Sequence, residues 1–416
     1  MESFELKKII KELLIKFHSS ELPELIERDI EIPEFKKINK IIVTIGPRRA
    51  GKTYFLYQIM KKRIKKGNTL KDFIYLNFEN ENLSELKPNQ LNLILEAYAE
   101  LYGEKKPILF LDEIQNIPNW DKFIRRLNDE NYLTYISGSN SKFLSKEIAT
   151  ALRGRDYPVQ VLPFSFKEFI NFKGIKLEKN WEFSKTKLQV KRAFEEYFSL
   201  SGFPEIILEN KLELIDQYFK TMLFQDIIER YAIKNTDLMR LLMLFLARHY
   251  GGNYSLNKFN NFAKSNSYKS STSVIQKYSK ILEDIYFSFF ITAKQKSMKK
   301  ESNYQKKAYL YDHAFANYYG EENKGRLLEN IVAIELMRRQ DKVNHYTNGF
   351  ECDFITTKHS IQVCYALNQE NQKREMQGLI EATKKFKNKP ILITFDQETQ
   401  IQKINTKPIW KWLLEK

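Results

Sequence analysis

One short stretch, residues 41–53, constrains this chain more than any other, and it reads IIVTIGPRRAGKT. The apolar, β-branched run Ile41–Ile45 is typical of a buried strand. The eight residues that follow match the pattern G-x-x-x-x-G-K-[ST] at every defined position, and residues 54–66 have the character of a helix. A strand, a glycine loop and a helix in this order predict a phosphate-binding loop for a nucleoside triphosphate. The alternative is a glycine turn that matches the pattern by chance.

The loop residues have distinct expected roles. Gly46 and Gly51 let the backbone turn so that successive N–H groups converge on phosphate oxygens at the start of the helix. Lys52 is expected to reach the β- and γ-phosphates, and the Thr53 hydroxyl to complete the shell of a Mg²⁺ ion. The predicted nucleotide-binding residues are Gly46, Pro47, Arg48, Arg49, Ala50, Gly51, Lys52, Thr53 and Tyr54.

A second apolar run ends in two adjacent carboxylates. Residues 106–113 read KPILFLDE, so Asp112 and Glu113 follow directly on a predicted strand. An acidic pair downstream of a phosphate loop indicates a Walker B element, in which Asp112 holds Mg²⁺ through water and Glu113 polarises the attacking water. The alternative is a solvated strand end.

Four further residues are candidates for contact with the γ-phosphate. Residues 132–140, YLTYISGSN, form a predicted strand whose polar end offers Ser139 or Asn140 as a sensor, against the alternative of a plain turn. Arg153 and Arg155 follow, and an arginine supplied by this subunit or by a neighbour stabilises charge in phosphoryl transfer. Either arginine could equally pair with a local carboxylate. Alternating strands and helices predict a doubly wound parallel sheet with the nucleotide at its carboxyl edge.

Length and composition set the limits. At 416 residues the chain predicts two or three domains. Its net charge of +16 favours a polyanionic partner, nucleic acid above a membrane surface, although lysine excess also occurs in AT-rich or heat-adapted genomes. Cys352 and Cys364 are too few for a disulfide framework or a cysteine-rich zinc site. No signal peptide or membrane-spanning run is evident, so we expect a cytoplasmic protein.

Residues 236–312 predict a winged helix-turn-helix, namely three helices followed by a hairpin. Its third helix and wing are rich in lysine, which would contact DNA phosphates, whereas hydroxyl and amide side chains could reach bases. The alternatives are a solvated basic face and a module that docks proteins. The predicted DNA-binding residues are Lys269, Thr272, Gln276, Lys277, Lys299 and Lys300.

Several motifs together resemble one family. They are GPRRAGKT, LFLDEIQNIPNW, ISGSNSKFLSKEIATALRGR, PFSFKEF, SGFPE and DIIER. In this way the chain is similar to the AAA+-type ATPases abundant in archaea and bacteria. The resemblance implies ATP rather than GTP, and a P-loop domain followed by a winged helix and a restriction-endonuclease-like domain. The expected boundaries are 1–164 for the ATPase core, 165–235 for a helical lid, 236–312 for the winged helix and 313–416 for a small α/β nuclease-like domain.

The last segment resembles the core of PD-(D/E)xK nucleases, in which a helix Glu, a strand Asp and an E-x-K pair bind Mg²⁺. Glu329 and Asp353 fit this pattern, but Gln362 stands in place of the second acid and Cys364 in place of the lysine. We therefore expect a degenerate centre that is kept for DNA binding or packing.

The sequence as a whole predicts an ATP-hydrolysing enzyme that acts on DNA. It also leaves open a homo-oligomer that supplies an arginine in trans. Two alternatives are a nucleotide-dependent switch in transcription or defence with slow turnover, and an ATP-coupled, Mg²⁺-dependent nuclease.

Overall fold

The computed structural model of the protein describes residues 2–33, 35, 38–138, 150–294, 306–402 and 404–415. They form two compact units, Met1–Leu162 and Pro163–Lys416, which we describe one at a time. Among the described helices, none is both long enough and apolar enough to cross a bilayer.

The first unit is built on a five-stranded sheet in the order β2-β3-β4-β1-β5, with every neighbouring pair parallel. Its strands are β1 (Ile41–Ile45), β2 (Phe73–Asn77), β3 (Ile108–Asp112), β4 (Thr134–Gly138) and β5 (Asp156–Gln160), and its helices are α1 (Ser3–His18), α2 (Lys52–Ile64), α3 (Leu93–Tyr102) and α4 (Trp120–Asp129). Parallel strands need crossover connections, and here helices supply them. The predicted doubly wound α/β arrangement is therefore the fold of this unit.

Strand β1 lies at the centre of this unit and is buried at all five positions. Ile41, Val43 and Ile45 pack into one apolar cluster with residues of α1, α3 and α4, whereas Ile42 packs into a second cluster with residues of α2. Successive side chains of a strand point to opposite faces, so an unbroken apolar run is what a sheet covered on both faces requires.

Helix α1 is shorter than the sequence pattern predicts. The helical spacing of the apolar residues within 1–30 predicts a helix over this range, but α1 ends at His18. The hydroxyls of Ser19 and Ser20 donate to the carbonyls of Ile15 and Phe17, which satisfies the end of the helix locally and stops its propagation.

The second unit begins with helices, as the sequence predicts for residues 165–235. They are α5 (Phe166–Phe172), α6 (Thr186–Ser199), α7 (Pro204–Glu209), α8 (Leu214–Thr221) and a π-helix over Met222–Glu229. Helix α6 packs on the end of the chain, where the ring of Phe198 lies 5.4 Å from that of Phe395 and Lys191 pairs with Asp396 at 2.7 Å. The expected placement of these helices over the nucleotide stays a prediction.

Three helices and a small antiparallel sheet follow. They are α9 (Thr236–Arg248), β6 (Asn253–Tyr254), α10 (Leu256–Ser265), α11 (Thr272–Asp284), β7 (Ser288–Thr292) and β8 (Lys306–Leu310), with sheet order β6-β8-β7. Tyr254, which we expected to start a helix, lies in β6 because Ser255 caps α10 by accepting the N–H of Lys258.

The chain ends in a six-stranded sheet of order β13-β14-β12-β11-β10-β9. Two helices, α12 (Ala314–Tyr319) and α13 (Lys324–Arg338), precede this sheet. Its strands are β9 (Asn344–Asn348), β10 (Phe350–Ile355), β11 (His359–Cys364), β12 (Lys389–Thr394), β13 (Gln400–Ile401) and β14 (Ile404–Pro408). Helix α14 (Gln369–Phe386) connects β11 to β12, and α15 (Ile409–Trp412) follows β14. Strand β12 runs parallel to β11 and β14, and the other neighbouring pairs are antiparallel. A Cβ on Gly378 of α14 would lie 1.9 Å from the carbonyl oxygen of Glu351, so this helix touches the backbone of β10.

This close approach predicts opposite effects for two helical glycines. Gly378→Ala should lower the free energy of unfolding by roughly 1–3 kcal/mol because the new methyl group forces α14 off the sheet. Gly325→Ala in α13 should raise it by about 0.4–1 kcal/mol, since the nearest atom to its Cβ is 3.5 Å away and alanine favours the helix. Urea unfolding of both variants measures the two changes, and equal effects would contradict the packing described here.

Candidate functional site

The phosphate loop connects β1 to α2 at the carboxyl edge of the five-stranded sheet. Gly46 has φ +150°, and a Cβ at this position would lie 2.0 Å from the carbonyl oxygen of Val161, so only glycine fits. Gly51 adopts φ +91° and caps the N-terminus of α2. The two glycines thus bring the loop close to the sheet and aim its backbone at the first turn of a helix, where an anion is stabilised.

Lys52 is the first residue of α2 and is buried, with an exposed fraction of 5%. Its ammonium donates to the carbonyl oxygens of Pro47 at 2.8 Å and Gly46 at 3.2 Å. The side chain therefore curls over the loop and places a positive charge where the backbone turns.

Side chains of α2, β3 and β4 meet at one carboxylate. The Thr53 hydroxyl donates to Oδ2 of Asp112 at 2.7 Å, and the Ser137 hydroxyl donates to Oδ1 of the same residue. Asp112 is fully buried, and burial raises the pKa of its carboxyl group, against the hydrogen bonds from Ser137 and Thr53. The loop threonine and the strand aspartate, 59 residues apart in the chain, thus lie side by side.

Glu113 follows Asp112 in the left-handed region, at φ +54°. This conformation turns the chain sharply, and the backbone N–H of Glu113 donates to the Ser137 hydroxyl at 3.3 Å. The Gln115 side-chain amide donates to Oε2 of Glu113, whose side chain is buried. A carboxylate held beside the phosphate loop in this way can act as a general base for a water molecule.

These residues fit a nucleoside triphosphate with Mg²⁺. The loop offers backbone N–H groups and the N-terminus of α2, Lys52 offers a cation, and the hydroxyl of Thr53 with the oxygens of Asp112 offers the hard donors that Mg²⁺ prefers. The raised pKa of Asp112 supports the same reading, because a buried carboxylate gains most from a cation close to it. Tyr54, also predicted as a binding residue, is half exposed at 52%.

The structure changes the prediction for the arginines. Ile41 at the start of β1 donates its N–H to the carbonyl of Arg155, so Arg155 lies at the amino edge of the sheet, about 13 Å of strand away from the phosphate loop. The Arg155 side chain pairs with Asp129 at 2.9 Å, which is the local carboxylate we left open. Arg153 is exposed in an open cleft at the same edge with Lys122, Arg125 and Arg126. Neither arginine can reach the phosphate loop of its own subunit, because the length of the sheet intervenes.

The sensor prediction has a different outcome. Ser139 and Asn140 lie outside the described residues. Ser137, which sequence reasoning passed over, contacts both Asp112 and Glu113. The available signal was its position on β4, since β4 lies between β3 and β1 in the sheet.

Four of the six predicted DNA-binding residues lie in the part of the chain that the structure describes. Lys269, Thr272, Gln276 and Lys277 are all exposed, the last three on α11. Lys299 and Lys300 lie outside the described residues.

The predicted nuclease-like centre is filled by Lys307, one of the lysines that the sequence places in the wing of the predicted winged helix. Lys307 of β8 is 4% exposed, and its ammonium donates to Glu329 at 2.8 Å, Glu351 at 2.7 Å and Asp353 at 2.9 Å. We call these three acids the carboxylate centre. Burial lowers the pKa of Lys307, but the neighbouring Asp353 and Glu329 raise it further, and the net result lies well above the ordinary value. Burial and the charge of Asp353 raise the pKa of Glu329 to about 7.

Gln362 faces the same centre without charge. Its side-chain oxygen accepts the N–H of Asp353 at 3.3 Å, and its amide donates to Glu375 of α14 at 2.7 Å. Cys364 is buried and its thiol donates to the carbonyl of Ala366. Among the described residues, no group of three or more His, Cys, Asp or Glu side chains is arranged to hold a metal ion.

Comparison with known proteins places these features in context. Residues 38–170 match the model of the AAA domain, and residues 191–324 match a domain of unknown function (DUF8612). The chain is 36% identical to the uncharacterized protein MJ1544 of Methanocaldococcus jannaschii over 98% of this chain and 96% of that one. It is 30% identical to an uncharacterized protein of Haemophilus influenzae over 92% of this chain and 97% of that one. Among solved structures, the Walker-type ATPase PABY2304 of Pyrococcus abyssi covers 76% of this chain and 94% of its own, with 13% identity and a TM-score of 0.43.

The burial of Asp112 predicts that its replacement by a neutral side chain stabilises the nucleotide-free protein. Asp112→Asn should raise the midpoint of thermal unfolding of the nucleotide-free protein by a few degrees, since about 1 kcal/mol corresponds to roughly 2–4 °C in a unit of this size. A carboxyl whose pKa is raised on folding destabilises the folded state once it is ionised, so the gain should be largest near neutral pH and shrink towards pH 4. Calorimetry across this range measures it, and a gain that grows as the pH falls would contradict the assignment.

Proposed function

We propose that this chain, which belongs to the same family as MJ1544 and has an AAA-type P-loop ATPase domain in its N-terminal part, binds and hydrolyses ATP and couples this cycle to DNA. The observation that carries the proposal is the hydrogen bond from Thr53 to Asp112, with Glu113 next in the chain. It joins the loop that would hold the phosphates to the carboxylates that would prepare water.

Each residue of the site has a part in this proposal. The backbone of residues 46–51 and the N-terminus of α2 bind the phosphates, and Lys52 leaves its contacts with Gly46 and Pro47 to reach them. Thr53 and Asp112 would hold Mg²⁺, which neutralises charge on the phosphate oxygens when bound. Glu113 accepts a proton from the attacking water, and Ser137 fixes the backbone that aims it.

Arg153 is the better candidate for a residue supplied in trans. It lies at the sheet edge opposite its own phosphate loop, in a cleft lined by five cationic side chains and two carboxylates, those of Asp129 and Glu130. A neighbouring copy that presented its nucleotide to this edge would meet several positive charges, as a homo-oligomer with a shared site requires.

We assign DNA binding to the segment from α9 to β8. The order of three helices with a short strand after the first and a hairpin after the third is that of a winged helix. Its third helix, α11, exposes Thr272, Gln276 and Lys277, and Lys269 precedes it. These side chains are free of the core, so they can meet phosphates and base edges.

A slow nucleotide-dependent switch is the second candidate. It is favoured by the contact between Gln115 and Glu113, because an amide held on the proposed base lowers its readiness to accept a proton. A switch would hydrolyse ATP slowly alone and faster with DNA or a protein partner.

Replacing Glu113 tests the hydrolytic assignment. Glu113→Gln should keep ATP binding but slow turnover by roughly 10²–10⁴-fold, since the amide cannot accept the proton. Phosphate release with and without duplex DNA measures this, and Glu104→Gln on the exposed surface serves as the control. Turnover of Glu113→Gln at the wild-type rate would refute the assignment.

The DNA assignment has an independent test. Alanine at both Lys269 and Lys277 should weaken binding to duplex DNA and reduce the slope of log affinity against log salt by about 2. Lys65→Ala with Lys105→Ala removes the same charge from exposed positions elsewhere and should leave the slope unchanged. An unchanged slope in the first pair would favour a protein-docking role for this segment.

A further inference from the structure

The nuclease-like core of the chain implies a divalent metal ion that its residues do not fit. In the fold that this segment resembles, a helix Glu and a strand Asp hold the metal, and a lysine beside them orients water. Here Glu329 and Asp353 are in place, but the nitrogen of Lys307 lies between them at 2.8 and 2.9 Å. A metal ion and this ammonium cannot share one set of oxygens, because two cations so close repel strongly.

The hydrogen bonds of Lys307 explain why it neutralises the acids of this centre and does not act as a catalytic lysine. An ammonium group has three N–H donors, and those of Lys307 go to Glu329, Glu351 and Asp353. No donor is left to orient a water molecule. The Lys307 side chain is 4% exposed, and of its three partners Glu351 is the one open to solvent, at 46%.

The carboxylate groups of Glu329 and Asp353 likewise already accept hydrogen bonds. Oε1 of Glu329 accepts from both Lys307 and the Tyr309 hydroxyl, the latter at 2.6 Å. Asp353 uses Oδ1 for Lys307 and Oδ2 for the N–H of Val363 at 2.9 Å. Four of the six carboxylate oxygens of the centre, namely Oε1 of Glu329, Oε1 of Glu351 and both oxygens of Asp353, are therefore already occupied.

The backbone of Lys307 is held in place by the strands on either side of it. It pairs with Asn253 of β6 and Ile291 of β7, so β8 is the central strand of its sheet. Nearby, the N–H of Leu310 donates to the Asn330 side chain at 2.8 Å, and that amide donates back to the Leu310 carbonyl. Strand β8 is thus bound to α13, and Lys307 cannot withdraw while the strand stays in place.

We infer that the Lys307 ammonium is the resident cation of the carboxylate centre and excludes a divalent metal ion from it. The centre keeps the acids of a metal site, but an internal cation from the wing strand takes the metal's place. Removal of that cation uncovers a latent site for a hard divalent ion, since three carboxylates then face one another without a counter-charge. The inference does not depend on the proposed ATPase or DNA roles.

Mn²⁺ binding to the full chain tests this directly. All variants carry Asp112→Asn, so that the proposed Mg²⁺ ligand at the phosphate loop does not contribute. With Lys307 present, we expect no Mn²⁺ site that depends on Asp353. Lys307→Met, a neutral side chain of similar length, should take up one Mn²⁺ per chain, seen by electron paramagnetic resonance, at least about tenfold more tightly than the Lys306→Met control.

Two additions make the outcome decisive. Asp353→Asn in the Lys307→Met chain should abolish the gained site. If Lys307→Met does not fold, Lys307→Met with Glu351→Gln removes a cation and an anion together, and it should show the same gain through Glu329 and Asp353.

Three results would overturn the inference. One is Mn²⁺ bound by the chain that retains Lys307 and lost on Asp353→Asn. Another is a folded Lys307→Met chain that binds no more Mn²⁺ than Lys306→Met. The third is Mg²⁺-dependent cleavage of DNA by the wild-type protein that Asp353→Asn abolishes.

Discussion

The hydrogen bond between Thr53 and Asp112 is the contact on which the first unit depends. Thr53 lies in the first turn of α2, which follows β1, and Asp112 is the last residue of β3. Strand β4 separates β1 from β3 in the sheet, and Ser137 of β4 donates to the same carboxylate. Parallel strands place all their carboxyl ends at one edge, so residues far apart in the chain meet there without any long-range adjustment. Burial of the apolar strands determines the sheet, and the order of its strands determines which residues meet at the site.

The second unit is held by a different kind of interaction, a charge cluster in its interior. One ammonium among three acids is expensive to bury, and it is tolerated only because each donor and most acceptors are satisfied. Asp312 acts similarly in the interior of the second unit, where it accepts from the Ser201 hydroxyl at 3.0 Å and the Gly202 N–H at 2.9 Å. Polar contacts of this kind specify which elements pack together, beyond what apolar surfaces alone can specify.

The sequence was most informative where the residues of a functional motif are consecutive in the chain. The phosphate loop and the strand that ends in Asp112 and Glu113 are local patterns, and the structure brings them together as predicted. Ser137 was missed because a hydroxyl on a strand has no local signal. The sequence left open whether Arg155 reaches a phosphate or pairs with a local carboxylate, because the direction of β5, rather than its sequence, decides at which edge of the sheet Arg155 lies. Lys307 was missed because we looked for the lysine on β11, beside Gln362, whereas it comes from a strand of another sheet.

Strand β8 therefore belongs to two parts of the molecule at once. Its backbone completes the small antiparallel sheet, and its lysine neutralises the acids of the next segment. A fragment that ended at residue 312 would carry a bare ammonium on its surface, and a fragment that began at residue 313 would keep three acids with no counter-charge. Recombination at that junction would leave unpaired charges in both products. We therefore expect the two segments to have been inherited together.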